Sequence, residues 1–166
     1  MRWFTFFCII LCISLFQSTM MHWIAIGSAV PDLYFPLVIY YSFITDMKRN
    51  AIINWIIGLS KDLFSEGSLG INSIFFVAIG ILIWSIRGVV FRGHIITQIL
   101  VTFIFSILYN MLYATYIAIS FHSLHLLPTV WKILICSLYT AMIVPALFWV
   151  LNTFQPTHKF SLTRDK

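Results

Sequence analysis

Between Arg92 and Lys132 the chain runs for 39 residues without an Asp, Glu, Lys or Arg, and charge-free runs of 13, 20 and 26 residues separate Asp32 from Asp46, Glu66 from Arg87 and Lys132 from Lys159. An α-helix needs about 20 apolar residues to cross the hydrocarbon core of a bilayer, so runs of this size describe membrane helices. A transmembrane barrel would alternate apolar and polar residues over segments of about ten, and 74–83 shows no such alternation. Of the 166 residues, 61% are hydrophobic and 9% are charged, where an ordinary soluble domain carries roughly 25% charged residues. A water-soluble core of this size cannot bury that much apolar surface, which excludes a soluble monomer. The sequence therefore implies an all-α polytopic membrane protein. Six helices of about 20 residues would use about 120 positions, leaving no room for a separate catalytic or binding domain.

Helices are predicted over 3–23, 33–45, 51–64, 69–86, 95–121 and 130–151. They make six transmembrane spans in a domain of residues 1–152, followed by a polar cytoplasmic tail of 153–166. The first run follows Arg2 as a signal peptide would, but it exceeds the 7–15 residues of a signal-peptide core and lacks an Ala-x-Ala cleavage site. Pro31 marks a turn before the second helix, with Asp32 as its cap. Residues 46–50 and 65–68 read as polar turns, and Lys61 and Asp62 make the third helix short or partly re-entrant. Lys and Arg concentrate in cytoplasmic loops. With both termini inside, Arg2, Lys48, Arg49, Arg87, Arg92, Lys159, Arg164 and Lys166 lie on the cytoplasmic side, and Lys61 and Lys132 lie outside. Merging the second and third helices would strand Asp46, Lys48 and Arg49 near mid-bilayer at high cost. The net charge of +5 is thus a sign of orientation and not of nucleic-acid binding. Trp3, Trp23, Trp55, Trp84 and Trp131 fall near predicted helix ends, as interfacial anchors do.

Two faces show helical spacing. Thr102, Ser106, Tyr109, Tyr113, Tyr116 and Ser120 recur at steps of three and four, as do Gly70, Ser73, Val77, Gly80 and Trp84. Small and hydroxylated residues let membrane helices approach closely and bond across the contact, so both faces read as packing seams. The tyrosine face alternatively lines a polar cavity or receives a partner helix. Asp62 is the unusual residue, because an intramembrane carboxylate needs a partner. Its candidates are Lys61, the backbone donors around Gly67 to Gly70, and Asn72, and capping of the next helix is favoured over catalysis. A proton relay or an intramembrane enzyme would need a second facing ionisable group, and none is evident. His122 and His125 lack a third ligand and read as an interfacial pair, not a metal site. Cys8, Cys12 and Cys136 form no Cys-x-x-Cys pair, so neither a disulfide framework nor a zinc site is expected, and Cys8 and Cys12, on one helix face, read as inert packing residues. No nucleophile elbow, phosphate loop or zinc-protease motif occurs, so neither a cofactor nor an enzymatic activity is expected.

The run Gly58-Leu59-Ser60-Lys61-Asp62, followed by Gly67-Ser68-Leu69-Gly70-Ile71-Asn72, resembles the MreD family of bacterial rod shape-determining membrane proteins, in which a Gly-Leu-x-x-Asp element precedes a turn and a Leu-Gly helix start. Where that family often has a further glycine four residues before the Gly-Leu pair, this chain has Asn54, which can supply an interhelical hydrogen bond. The resemblance implies a non-enzymatic inner-membrane scaffold of the cell-elongation complex. It also implies a bitopic MreC-like partner, indirect association with MreB, RodA and a class B penicillin-binding protein, and a role in supporting peptidoglycan synthesis. It further implies the six-helix fold of the substrate-binding subunits of energy-coupling-factor transporters. On this reading Gly58, Leu59, Asp62, Gly67, Gly70 and Asn72 form a structural or partner-binding corner, beside a groove among the third to fifth helices. Thr102, Ser106, Tyr109, Tyr113 and Tyr116 would line that groove or a cavity. The competing reading is a vitamin-binding transporter subunit, but the Ala-x-x-x-Ala docking element of such subunits has no counterpart before Ala25.

Overall fold

A computed structural model describes residues 3–24, 30–65, 69–90, 95–121 and 126–154. Among them are six helices: α1 (Trp3–Ile24), α2 (Tyr34–Ile44), α3 (Met47–Phe64), α4 (Ile71–Val90), α5 (Ile95–Phe121) and α6 (Leu126–Phe154). The third starts earlier than its polarity suggests. Lys48 and Arg49 are exposed residues of the first turn of α3, and not of a loop. Asp46 precedes them in extended conformation, and its carbonyl accepts from the Asn50 amide at 2.8 Å. Trp55 consequently sits in the middle of α3, exposed, and not at an end.

The centre of the molecule is α2. Its 11 residues rise only about 16 Å, and Tyr34 through Ser42 are all buried. A helix that is apolar all round is stable only when enclosed, and every other helix contributes to the enclosure. Phe6 and Ile10 come from α1, Ile53 and Ile57 from α3, Phe76, Ile79 and Ile83 from α4, Tyr109 from α5, and Val144 and Phe148 from α6. Aromatic edges and faces fill the contacts, with Phe6 against Tyr41 at 5.1 Å and Tyr40 against Phe148 at 5.3 Å between ring centroids.

A short buried helix leaves its terminal amides and carbonyls without partners inside the helix, and side chains from distant segments supply them here. The Tyr34 amide donates to Asp32 Oδ1 at 3.1 Å, the Leu33 amide to Gln17 Oε1 at 3.0 Å and the Asp32 amide to Thr140 Oγ1 at 3.1 Å. At the other end Arg87 donates to the carbonyls of Thr45 at 2.7 Å and Phe43 at 3.3 Å.

Among the described residues, α4, α5 and α6 hold stretches long and apolar enough to cross a membrane, over Ile71–Gly88, Ile96–Ser120 and Thr129–Thr153. The apolar stretches Trp3–Thr19 and Tyr34–Ile44 are shorter. The α3 helix carries Lys48, Arg49, Lys61 and Asp62. The structure is that of a helical membrane protein. Its two tightest units are antiparallel hairpins, α3 with α4 and α5 with α6. The first is fixed by Asn50 Nδ2 donating to the Gly80 carbonyl at 2.8 Å, the second by Asn110 Nδ2 reaching Ser137 Oγ at 3.4 Å.

Candidate functional site

The turn between α3 and α4 is organised by one carboxylate. Asp62, 1% exposed at the end of α3, accepts five hydrogen bonds from Gly70 and the first turn of α4. Oδ1 takes the Asn72 amide at 3.2 Å and Asn72 Nδ2 at 2.8 Å. Oδ2 takes the Gly70 amide at 3.0 Å, the Ser73 amide at 3.2 Å and Ser73 Oγ at 3.0 Å. The negative charge sits where the free amides and the dipole of α4 are positive, an N-cap supplied by another helix. Gly70 turns the chain with a φ of 94°, a left-handed conformation that costs other residues roughly 1–2 kcal/mol. Gly58 lets the helices meet: a Cβ there would lie 2.7 Å from the Ser73 nitrogen and 2.9 Å from the Asn72 carbonyl oxygen. Leu59 is half-buried on the same helix. Gly67 lies outside the described residues, as do His122, His125 and most of the tail.

Of the three candidate partners of Asp62, the Gly70 amide and Asn72 bind it and Lys61 does not. Consecutive helical residues point about 100° apart, and the Lys61 ammonium points into the bundle, where it forms an ion pair with Asp32 Oδ2 and donates to Tyr109 Oη at 2.7 Å. It also lies 4.6 Å from the Tyr109 ring centroid and 5.2 Å from that of Phe76. Tyr109 Oη donates in turn to Asn72 Oδ1 at 2.5 Å. A continuous polar chain therefore runs from Thr140 on α6 through Asp32, Lys61, Tyr109 and Asn72 to Asp62, joining α3 to α6 to the segment before α2. The facing ionisable pair that is not evident from sequence is thus present, and Asp32 does more than cap α2. Alternation of residue types gives no sign of it, because Asp32 and Lys61 are 29 residues apart.

Below this chain the α3–α4 seam continues with a second polar cluster. Asn54 Nδ2 donates to Asn50 Oδ1 at 2.7 Å and to Ser42 Oγ at 3.2 Å. Gly80 on α4 makes the space, since a Cβ there would lie 2.8 Å from Asn54 Cγ and 3.2 Å from Ser42 Oγ.

The hydroxyl and tyrosine face of α5 is divided. Thr102, Ser106 and Tyr109 are buried, while Tyr113 and Tyr116 are half-buried and Ser120 is exposed. Tyr113 stacks on Tyr109, with centroids 6.2 Å apart and planes inclined by 18°. Its other side borders a cleft of about 320 Å³ between α5 and α6, shared with Asn110, Ile117, Lys132, Ile133 and Cys136. A wholly apolar groove of about 530 Å³ lies between α1 and α6, where Cys8, Cys12, Ile143 and Leu147 meet. Among the described residues no three His, Cys, Asp or Glu side chains come together as a metal site.

No curated protein and no solved structure matches the chain in sequence or fold comparison. A family model described as rod shape-determining protein MreD matches residues 1–156, which include the α3–α4 corner and all six helices. A helical membrane protein with that match over nearly its whole length belongs to the MreD family of rod shape-determining proteins.

Proposed function

We propose that this chain is a non-enzymatic scaffold of the rod complex in the bacterial inner membrane, that residues 1–152 form its membrane domain, and that its α3–α4 corner positions the surface that receives the transmembrane helix of a bitopic MreC-like protein. Association with MreB, RodA and a class B penicillin-binding protein follows through that partner, and so does support of peptidoglycan synthesis. The observation that carries the reading is the Asp62 corner: a buried carboxylate with five donors fixes the angle and register of two helices and leaves their outer faces unchanged, including exposed Ile52 and Trp55 on α3 and Ile74 and Leu82 on α4. Rigidity at a binding surface lowers the ordering cost of association. In this arrangement all six helices sit in the bilayer, with α2 sheltered by protein. Both termini are cytoplasmic, since Lys48, Arg49 and Arg87 cluster at the end of the bundle that holds the start of α1 and the end of α6.

A vitamin-binding subunit with the transporter-like fold would use the Thr102 to Tyr116 face as its cavity wall. The burial of Thr102, Ser106 and Tyr109 against other helices favours the scaffold. The test is co-purification of the tagged chain with its bitopic partner from native membranes, for wild type, Asp62→Ala and Gly70→Leu, normalised to folded protein. Recovery is expected to fall about tenfold, the equivalent of about 1.4 kcal/mol. Unchanged recovery for both variants removes the corner from the partner site.

A further inference from the structure

The cleft between α5 and α6 has a chemistry that neither the corner nor the central polar chain uses. Lys132 lies on its wall. The carboxylates described at this end of the bundle are engaged elsewhere, Asp32 with Lys61 and Asp62 with the first turn of α4, and among the described residues Lys132 has no acidic partner. Lys132 itself is exposed, so the cleft is open on its side. Deeper in, Asn110 commits its amide nitrogen to Ser106 and Ser137, and Tyr113, its ring held by Tyr109, brings a hydroxyl with no hydrogen bond to another described residue.

Depth identifies the class of ligand. The 29 residues of α6 rise about 43 Å, which matches the roughly 40–45 Å of a bilayer with its headgroups. Lys132 is then about 12 Å from the midplane, just inside the hydrocarbon boundary at about 15 Å, where a lysine reaches outward to phosphate. Antiparallel pairing of α5 with α6, with Asn110 level with Ser137, puts Tyr113 about 3 Å deeper. Ala114, Ile117 and Ile133 supply apolar wall around Lys132 and Tyr113. An unpaired cation at the headgroup boundary, beside a hydroxyl and apolar side chains, suits a phospholipid. We propose that this cleft is a binding site for one acidic phospholipid, its phosphate on Lys132 and the rest of the molecule against the cleft wall that includes Tyr113. The inference needs only that α5 and α6 lie in a bilayer, and not the partner reading above.

Cys136, on the wall of the cleft, reports occupancy, and exposed Cys8 and Cys12 on α1 serve as references. In delipidated protein, maleimide labelling of Cys136 relative to Cys8 is read by peptide mass spectrometry after adding phosphatidylglycerol, phosphatidylcholine or inorganic phosphate. Native mass spectrometry of the same samples counts bound lipid independently of thiol reactivity. One lysine near a charged surface contributes about 1 kcal/mol, so phosphatidylglycerol should be favoured over phosphatidylcholine about fivefold, in protection and in retention. Lys132→Gln should erase that preference and Lys132→Arg should keep it, with Cys8 labelling unchanged in both. Equal effects of the two lipids, no effect of either, equal protection by inorganic phosphate alone, or a preference that survives Lys132→Gln would each overturn the proposal.

Discussion

At the residue scale, Asp62 shows what a carboxylate does when buried in an interior that offers only donors. Hydrogen bonds to an ionised acceptor are shorter and about twice as strong as neutral ones, and here five converge on two oxygens. Removing the acceptor leaves those donors buried and unpaired. Asp62→Ala is therefore expected to lower the unfolding free energy in detergent by about 3–5 kcal/mol, the range for breaking one side of a buried charged contact. Asp62→Asn turns an NH₂ toward existing donors and should cost about 2 kcal/mol. An Asn variant as stable as wild type in chemical denaturation would show that the negative charge contributes nothing at the corner. The Gly70 amide and Asn72 were legible as partners because free helix N-terminal amides attract acids. The direction of Lys61 was not, since its partner lies far away in sequence.

At the element scale, α3 and α4 fit because small residues on one helix face larger ones on the other at two levels. Gly58 on α3 accepts the backbone of α4 at Ser73, and Gly80 on α4 accepts Asn54 of α3. Gly80 thus makes room for Asn54 across the seam, and close approach is kept with two hydrogen bonds from the Asn54 amide added. Gly80→Ala should destabilise by about 1–3 kcal/mol through overpacking. Combining it with Asn54→Ala should cost less than the sum of the single changes, because the methyl would occupy space that the amide leaves. Thermal unfolding of the four proteins of this cycle measures the coupling, and strict additivity would mean that the two residues do not share the space. The stripe Gly70, Ser73, Gly80 could be read from its spacing alone. Which α3 residues oppose it could not, because the start of α3 resembles a loop: Lys48 and Arg49 are tolerated in its first turn where that turn is exposed.

At the scale of the whole molecule, the six helices were legible from the charge-free runs, but their arrangement was not. An apolar segment such as 34–44 reads the same whether lipid or protein surrounds it, and only the structure shows α2 at the centre. The Asp32–Lys61 pair fastens that centre to α3 and, through Tyr109, to α5. Breaking one side of a buried pair costs about 3–5 kcal/mol, whereas replacing both sides by neutral groups of similar size is often close to neutral. Lys61→Met alone is expected to destabilise strongly, and Lys61→Met with Asp32→Asn should recover most of the loss, as measured by unfolding in detergent. No recovery in the double variant would show that each residue acts through its other contacts.

The enclosure of α2 also bears on how the polypeptide is made. Its ends are held by Gln17, synthesised before it, and by Arg87 and Thr140, synthesised long after it. During translation this segment must wait without its final shelter until the sixth helix has entered the membrane. A chain that stops short of Thr140 thus lacks the last wall around its centre, with Val144 and Phe148 missing as well.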